Sequence, residues 1–135
     1  MQASKLTDDL SVRGQISAED LATAKEAGFT TIVCNRPDGE KPDQPDAEEI
    51  RAAAEAAGLQ FHYNPISPGG VTPDAVQKQG QIIRQAQGNV LAYCGSGQRA
   101  TVLWMLSNPH DMSADERIER AAAAGYDLAG LRPQL

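Results

Sequence analysis

The sequence predicts an α/β fold in which a mostly parallel sheet is flanked by helices. Three observations lead to this prediction. Segments rich in β-branched and apolar residues alternate along the chain with segments of helical spacing. Several helical segments begin at a capping residue or end at a glycine, which marks their limits. The length of 135 residues suits one domain that spans residues 1–135.

The chain begins with a short strand, a capped helix and a buried strand. Residues 10–14, LSVRG, are the short strand. Residues 17–28 follow as a helix, with Ser17 as its capping residue, acidic residues in the first turn and a glycine at the end. Residues 29–34, FTTIVC, are rich in β-branched residues and lack polar alternation, which is typical of a strand buried on both faces.

The middle of the chain repeats the order of helix and strand between two loops. Proline, glycine and aspartate predict a loop over residues 35–45. Residues 46–58 are helical and again end at a glycine, and residues 59–64, LQFHYN, form the next strand. Residues 65–70, PISPGG, form the second loop. Strands that alternate with helices in this way favour parallel pairing.

The last part of the chain contains one strand and three helices. A threonine cap followed by a first-position proline predicts a helix over residues 72–87. Residues 89–94, NVLAYC, form the last strand. Residues 99–107 and 113–125 form the remaining helices, and a short tail follows them.

Charge and composition exclude several classes of function. The formal net charge is −6. Tight binding to a nucleic-acid backbone needs a basic face, so nucleic acid is not expected as a partner. A small anionic substrate remains compatible with this charge, because an acidic protein can form a local positive pocket. No apolar run is long enough to cross a bilayer, and the first ten residues lack the apolar core of a secretory signal. We therefore expect a cytoplasmic protein without membrane contacts.

The chain has two cysteines, Cys34 and Cys94. Two cysteines are too few for a disulfide framework, and neither has a second Cys or His at zinc-finger spacing. His62 falls within a strand and His110 within a loop, and neither has a partner that suggests a metal. We therefore expect reduced thiols, no metal site and no cofactor.

The segment AYCGSGQR, residues 92–99, points most directly to chemistry. Cys94 ends a predicted buried strand, and ligands of parallel sheets bind beyond the carboxyl ends of the strands. The glycine-rich turn of residues 95–98 leads into a helix, so its amides can form an anion-binding nest at the positive helix N-terminus. Arg99 adds a planar cation that can bind two oxygens of one oxyanion.

A thiol with these neighbours is expected to be ionised at neutral pH. We therefore predict Cys94 as the nucleophile and Arg99 as the group that binds the anion. The predicted substrate-binding residues are those of the turn and the start of the helix: Gly95, Ser96, Gly97, Gln98 and Ala100. Two alternatives stay open, namely a packed core cysteine and a turn that binds a nucleotide phosphate without cysteine chemistry.

Five motifs occur in the order seen in one bacterial family. They are RGQIS at 13–17, NRPDGE at 35–40, NPISPGGVT at 64–72, AYCGSGQR at 92–99 and AGYDLAGL at 124–131. With these motifs the chain resembles the phosphatase-like domain of beta-lactamase hydrolase-like proteins, a family also described as sulfurtransferases. The resemblance implies a fold like that of dual-specificity phosphatases, with the Cys–Arg loop between the last strand and a helix. It also implies relatives in which a hydrolase or oxidoreductase partner is fused to or associated with this domain.

The chain departs from the usual phosphatase pattern at several positions. Four residues separate Cys94 from Arg99, as in rhodaneses, whereas phosphatases usually have five. Tyr93 stands where phosphatases usually have His, Ala100 stands where Ser or Thr is common, and many relatives have Arg in place of Gly95. Three hypotheses therefore remain: a cysteine-dependent phosphatase, a rhodanese-type sulfurtransferase that carries a persulfide on Cys94, and a non-catalytic module that binds oxyanions. The resemblance along the whole chain favours the first.

The sequence leaves the general acid open. Phosphatases protonate the leaving oxygen with an Asp on a separate loop, but the segment NPISPGG has no carboxylate. Asp38 and Glu40 are the candidates in the RPDGE motif, and Asp38 is the predicted catalytic residue. Glu40 could instead pair with Arg36, and Asp74 fits better as part of a helix start.

Cys34 raises the question of a redox partner. It ends its strand as Cys94 ends another, and the resemblance implies that these two strands are neighbours. Cys34 could then resolve an oxidised or persulfidated Cys94. A packed core thiol is the alternative.

Overall fold

A computed structural model describes all 135 residues and shows five strands, five α-helices and a C-terminal 3₁₀ helix. The strands are β1 (Ser4–Thr7), β2 (Leu10–Arg13), β3 (Phe29–Cys34), β4 (Gln60–Tyr63) and β5 (Asn89–Tyr93). The helices are α1 (Asp20–Glu26), α2 (Ala47–Ala56), α3 (Pro73–Gln85), α4 (Gln98–Ser107) and α5 (Ala114–Ala123), and the 3₁₀ helix spans Ala129–Gln134. None of the helices is both long and apolar enough to span a membrane.

The strand order β1-β2-β5-β3-β4 places β5 at the centre of the sheet. β5 pairs in parallel with β2 and with β3, and β3 pairs in parallel with β4. Only β1 is antiparallel to its neighbour. The mostly parallel α/β fold predicted from the sequence is therefore confirmed. Because the four parallel strands point the same way, the loops that follow them all meet at one edge of the sheet.

The helices cover both faces of this sheet. Alternate residues of a strand point to opposite faces. On one face, residues of β5 including Val90 and Ala92 pack with α3 and α4, and the fully buried Trp104 belongs to this layer. On the other face, Leu91 and Tyr93 pack with α1 and α2. The central strand is thus buried on both sides, as its apolar sequence requires.

Three details differ from the sequence prediction. The strand β1 was not predicted, because SKLT is short, has no apolar run and buries only Leu6 and Thr7. The helix α1 begins at Asp20, and Ser17 does not cap it, so that assignment was wrong. Instead the Ser17 amide donates to the Asp20 carboxylate at 2.9 Å and holds a turn before the helix. The C-terminal tail also contains the 3₁₀ helix.

Candidate active site

The loop between β5 and α4 holds Cys94 at the middle of the carboxyl edge of the sheet. The Cys94 amide donates to the Arg13 carbonyl at 3.2 Å, which continues the pairing of β5 with β2 for one residue. The Cys94 side chain is fully buried, and its Sγ accepts a hydrogen bond from the Gly97 amide at 3.1 Å. The loop thus directs a backbone donor at the sulfur.

Two glycines allow the loop to fold this tightly. Gly97 has a φ of 94°, and a Cβ at this position would overlap the Tyr126 hydroxyl. A Cβ on Gly14 would lie 2.9 Å from the Gly95 carbonyl oxygen, which is too close for any other residue. The Thr101 hydroxyl donates to the Gly97 carbonyl at 2.8 Å and so fixes the loop to the first turn of α4.

Tyr126 reaches this loop from the segment that follows α5. Its hydroxyl donates to the Ser96 carbonyl at 2.9 Å. The peptide between Ser96 and Gly97 is therefore held at both ends, because its N–H group donates to Cys94 Sγ. Burial, together with the neighbouring Cys94, raises the pKa of Tyr126 above its ordinary value, so this hydroxyl keeps its proton. Sequence reasoning missed Tyr126 as a site residue; its only signal was the motif AGYDLAGL.

Arg99 is held at the mouth of the loop by Glu40. Its Nη1 and Nη2 atoms donate to the two Glu40 carboxylate oxygens at 2.8 and 2.9 Å, and Nη1 also donates to the Ile66 carbonyl at 2.8 Å. Arg36 donates from Nε to Glu40 Oε1 at 2.9 Å. These hydrogen bonds, the one from Arg99 first, hold the pKa of Glu40 below its ordinary value of 4.5. The sequence analysis named the pairing of Arg36 with Glu40 only as an alternative to a role as acid, and it did not foresee the contact with Arg99.

The two guanidinium groups flank the first residue of the loop. A Cβ on Gly95 would lie 3.0 Å from Arg99 Nη2 and 3.8 Å from Arg36 Nε. Arg36 is itself mostly buried, and its Nη1 donates to the Gln15 side chain at 3.0 Å. Arg36 thus brings a second positive group to this place from a different strand end.

The remaining predicted residues occupy different positions. Asp38 Oδ1 accepts a hydrogen bond from the Ala47 amide at 2.8 Å, so this carboxylate caps α2 and does not contact Arg99. Its role as an acid stays a prediction that these contacts do not support. Ala100 is buried beneath the loop, whereas Gln98 is exposed.

Cys34 and Cys94 lie on neighbouring strand ends, as the resemblance implied, but in different layers. Cys34 belongs to the layer under α1 and α2, and Cys94 to the layer under α3 and α4. The Cys34 thiol donates to the Arg36 carbonyl at 3.3 Å, and burial raises its pKa. A redox partnership of the two thiols stays a prediction.

A buried network of amide side chains fixes the loops after β3 and β4. The Asn35 side chain donates to Gln79 Oε1 at 2.9 Å and to the Asn64 carbonyl at 2.8 Å. The Asn64 side chain also donates to Gln79 Oε1, and Gln79 donates back to Asn35. The network therefore links both strand ends to α3 beneath the site. None of these three residues was recognised from the sequence. Asn35 lies 29 positions before Asn64, and Asn64 lies 15 positions before Gln79.

An open cleft of about 440 Å³ lies beside the loop. Gly95, Ser96 and Arg99 form one side, and Pro68 and Gly69 of the 65–70 loop form the facing side. The rest of the lining comes from the side chains of Val71, Gln98 and Val102. The cleft thus offers one cation, Arg99, in surroundings that are otherwise uncharged.

Comparison with known proteins connects this geometry to a family. Residues 3–111 match the family model described as the phosphatase-like domain of beta-lactamase hydrolase-like protein. A beta-lactamase hydrolase-like protein of Xylella fastidiosa (strain Temecula1) is 33% identical over 130 residues, which cover 95% of this chain and 30% of that protein. The chain therefore spans less than a third of the length of this curated relative.

Two solved structures are similar to this chain. A crystal structure named as a "putative phosphatase" of Neisseria meningitidis is 37% identical, with a TM-score of 0.84, and the match covers 96% of this chain and 93% of that chain. The core catalytic domain of the PP-IP phosphatase SIW14 from S. cerevisiae has a TM-score of 0.70 at 15% identity, over 98% of this chain and 81% of that chain. The second similarity shows the fold alone, which is the fold of cysteine phosphatases.

Proposed function

The chain belongs to the phosphatase-like domain family of beta-lactamase hydrolase-like proteins, and from this membership we propose that it is a cysteine-dependent phosphatase-like hydrolase. The observation that carries the proposal is the hydrogen bond from the Gly97 amide to Cys94 Sγ, in a loop closed by Arg99. A sulfur that accepts an amide hydrogen bond beside a guanidinium has the surroundings of an activated nucleophile. The substrate is a small phosphoanion.

The reaction proceeds in two displacements at phosphorus. The Cys94 thiolate attacks, so that an S–P bond forms while the bond from phosphorus to the leaving oxygen breaks. A water molecule then attacks the phosphocysteine. An O–P bond forms, the S–P bond breaks with both electrons on sulfur, and the water gives up one proton to solvent, so that inorganic phosphate leaves and the thiolate returns. Arg99 and the amides of residues 95–98 bind the oxygens on phosphorus, where negative charge is concentrated in both steps.

Glu40 acts in this mechanism as a positioning residue. It occupies Nη1 and one side of Nη2 of Arg99, which leaves Nε and the rest of Nη2 for the substrate oxyanion. A guanidinium fixed in this way loses little side-chain entropy when it binds a phosphate. Arg36 supports the same carboxylate from the other side.

A sulfurtransferase is the second candidate. In that reaction Cys94 attacks the outer sulfur of a donor such as thiosulfate, sulfite leaves, and the protein keeps a persulfide. A sulfur acceptor such as cyanide then takes up the outer sulfur and restores the thiolate. Two features favour this alternative. The loop of four residues between Cys94 and Arg99 has the length found in rhodaneses. Sulfur transfer also needs an ionised thiol and an anion-binding site but no acid.

Parallel assays on the purified protein separate these candidates. Release of phosphate from an aryl phosphate, abolished in Cys94→Ser but retained in the matched variant Cys34→Ser, would support the phosphatase. Phosphate release that persists in Cys94→Ser would contradict it. Thiocyanate formed from thiosulfate and cyanide would identify the sulfurtransferase. If neither substrate reacts while phosphate raises the melting temperature, the domain binds oxyanions without turnover.

A further inference from the structure

We propose that this site cleaves phosphate esters without protonating the leaving group and therefore selects substrates with a weakly basic leaving group. The inference rests on the proposed phosphatase function and specifies its substrate class. It follows from the positions of the carboxylates near Cys94 and from the composition of the wall that faces the loop.

The carboxylate nearest to Arg99 cannot serve as the acid. Glu40 Oε1 accepts hydrogen bonds from Arg36 Nε and Arg99 Nη2, both at 2.9 Å, and Oε2 accepts one from Arg99 Nη1 at 2.8 Å. Two guanidinium groups thus engage both oxygens. A carboxylate in this position stays ionised and has no proton to donate at neutral pH.

The second carboxylate of the same loop is committed to a helix. Asp38 Oδ1 accepts the Ala47 amide at 2.8 Å, at the N-terminus of α2. A negative charge is favourable at that end of a helix. The backbone amide of Asp38 is also fixed, since it donates to the Tyr63 hydroxyl at 3.2 Å. Asp38 therefore belongs to the junction of the loop with α2.

The part of the cleft that the 65–70 loop contributes has no ionisable side chain. The 65–70 loop lies directly against the site, because the Ile66 carbonyl accepts a hydrogen bond from Arg99. Its sequence, PISPGG, contains no acid, and its residues Pro68 and Gly69 line the cleft beside Gly95 and Ser96. Apart from Arg99, a leaving group placed in this cleft meets apolar groups, peptide groups, the Ser96 hydroxyl and the Gln98 amide, and no carboxylate.

This arrangement limits the leaving groups that the reaction can expel. When the P–O bond breaks, both bonding electrons stay on the leaving oxygen, which departs as an anion and takes its proton from water afterwards. Phenolates and carboxylates can leave in this way, since the parent acids have pKa values of about 10 and about 4. Alkoxides are far more basic and depend on an acid. The substrates are therefore aryl or acyl phosphates, and alkyl phosphates are poor substrates.

A series of ring-fluorinated phenyl phosphates tests this inference, because fluorine changes the acidity of the phenol with little change in size. We expect kcat/KM of the wild type to fall steeply and steadily as the leaving phenol becomes more basic. An alkyl phosphate should be cleaved at least about a hundredfold less efficiently than phenyl phosphate, the lower limit of what a positioned acid contributes. The quantity kcat/KM reports cleavage of the P–O bond even when hydrolysis of the phosphocysteine limits kcat, because it covers only the steps up to the first irreversible one.

Two variants test whether a carboxylate was overlooked. Glu40→Gln should lower kcat/KM for every ester, as expected for a positioning residue. It should leave unchanged the slope of log kcat/KM against the pKa of the leaving phenol. Asp38→Asn should also leave the slope unchanged. A shallow slope in the wild type that becomes steep in either variant would identify that residue as the acid and overturn the inference. Failure of the wild type to cleave even the most acidic phenol ester would instead overturn the phosphatase function itself.

Discussion

Replacing Tyr126 by phenylalanine removes one hydroxyl that lies outside the Cys–Arg loop yet acts on Cys94 through a single peptide. The hydroxyl donates to the Ser96 carbonyl at 2.9 Å, and the N–H group of the same peptide donates to Cys94 Sγ at 3.1 Å. Phenylalanine fits the same space, so the variant keeps the packing of the ring. The substitution therefore tests the hydrogen bond alone.

The size of the effect follows from these two contacts. A hydrogen bond to a charged group contributes about 1.5–3 kcal/mol, and about 1.4 kcal/mol corresponds to a tenfold change in rate. Complete loss of the bond to Cys94 would thus slow the reaction of its sulfur with an alkylating reagent by about ten- to a hundredfold. Loss of polarisation alone, roughly 10–30% of the bond, would slow it by only about one and a half- to fourfold. We expect Tyr126→Phe to fall between these limits.

The assay is the rate constant for alkylation of Cys94 by iodoacetamide at neutral pH, followed by mass spectrometry of the peptide that contains it. Tyr63→Phe is the matched control, because it also removes a tyrosine hydroxyl, one that contacts Asp38 instead of the loop. We expect the control to react at the rate of the wild type. An unchanged rate constant in a folded Tyr126→Phe variant would refute the argument.

Three further changes have defined outcomes. Arg99→Lys should lower kcat/KM about 10²- to 10³-fold in a phosphatase assay, since a point charge cannot replace two directed donors; a loss below tenfold would contradict this. Because the pKa of Glu40 is lowered in the folded state, its contribution to stability is fully present above the ordinary value of 4.5 and is lost as the pH falls below it. The melting temperatures of wild type and Glu40→Gln should therefore differ at pH 7 and converge near pH 3. Gln79→Leu should lower the free energy of unfolding in urea by on the order of 3 kcal/mol, because the buried side chains of Asn35 and Asn64 lose partners.

The order of strands and helices could be predicted because it depends on local patterns. The segment FTTIVC indicates a buried strand by its composition. Thr72 and Pro73 mark the start of α3 by local chemistry, because the Thr72 hydroxyl accepts a hydrogen bond from the Ala75 amide and the proline occupies the first turn. The strand β1 could not be predicted in this way. Its pairing with β2 depends on the partner strand rather than on its own four residues, and the pairing includes a register shift.

The partners within the site were harder to predict than the nucleophile. Cys94 and Arg99 lie in one continuous motif, so their proximity follows from the turn between them. Glu40 and Arg99 are 59 positions apart, and Tyr126 and Ser96 are 30 positions apart. These contacts arise because the strand order brings separate loops to the same edge of the sheet, and no spacing in the sequence encodes that order.

The position of β5 at the centre of the sheet determines which backbone amides can exchange their protons without unfolding of the whole domain. Its backbone is hydrogen-bonded to a strand on each side, and both of its faces are covered by helices. Amide protons of Val90–Tyr93 should therefore exchange with deuterium only through unfolding of the whole domain, whereas those of the exposed residues 39–41 should exchange through small local fluctuations. The backbone beneath the sulfur should thus open far less often than the backbone that carries Glu40, whose carboxylate orients the Arg99 guanidinium.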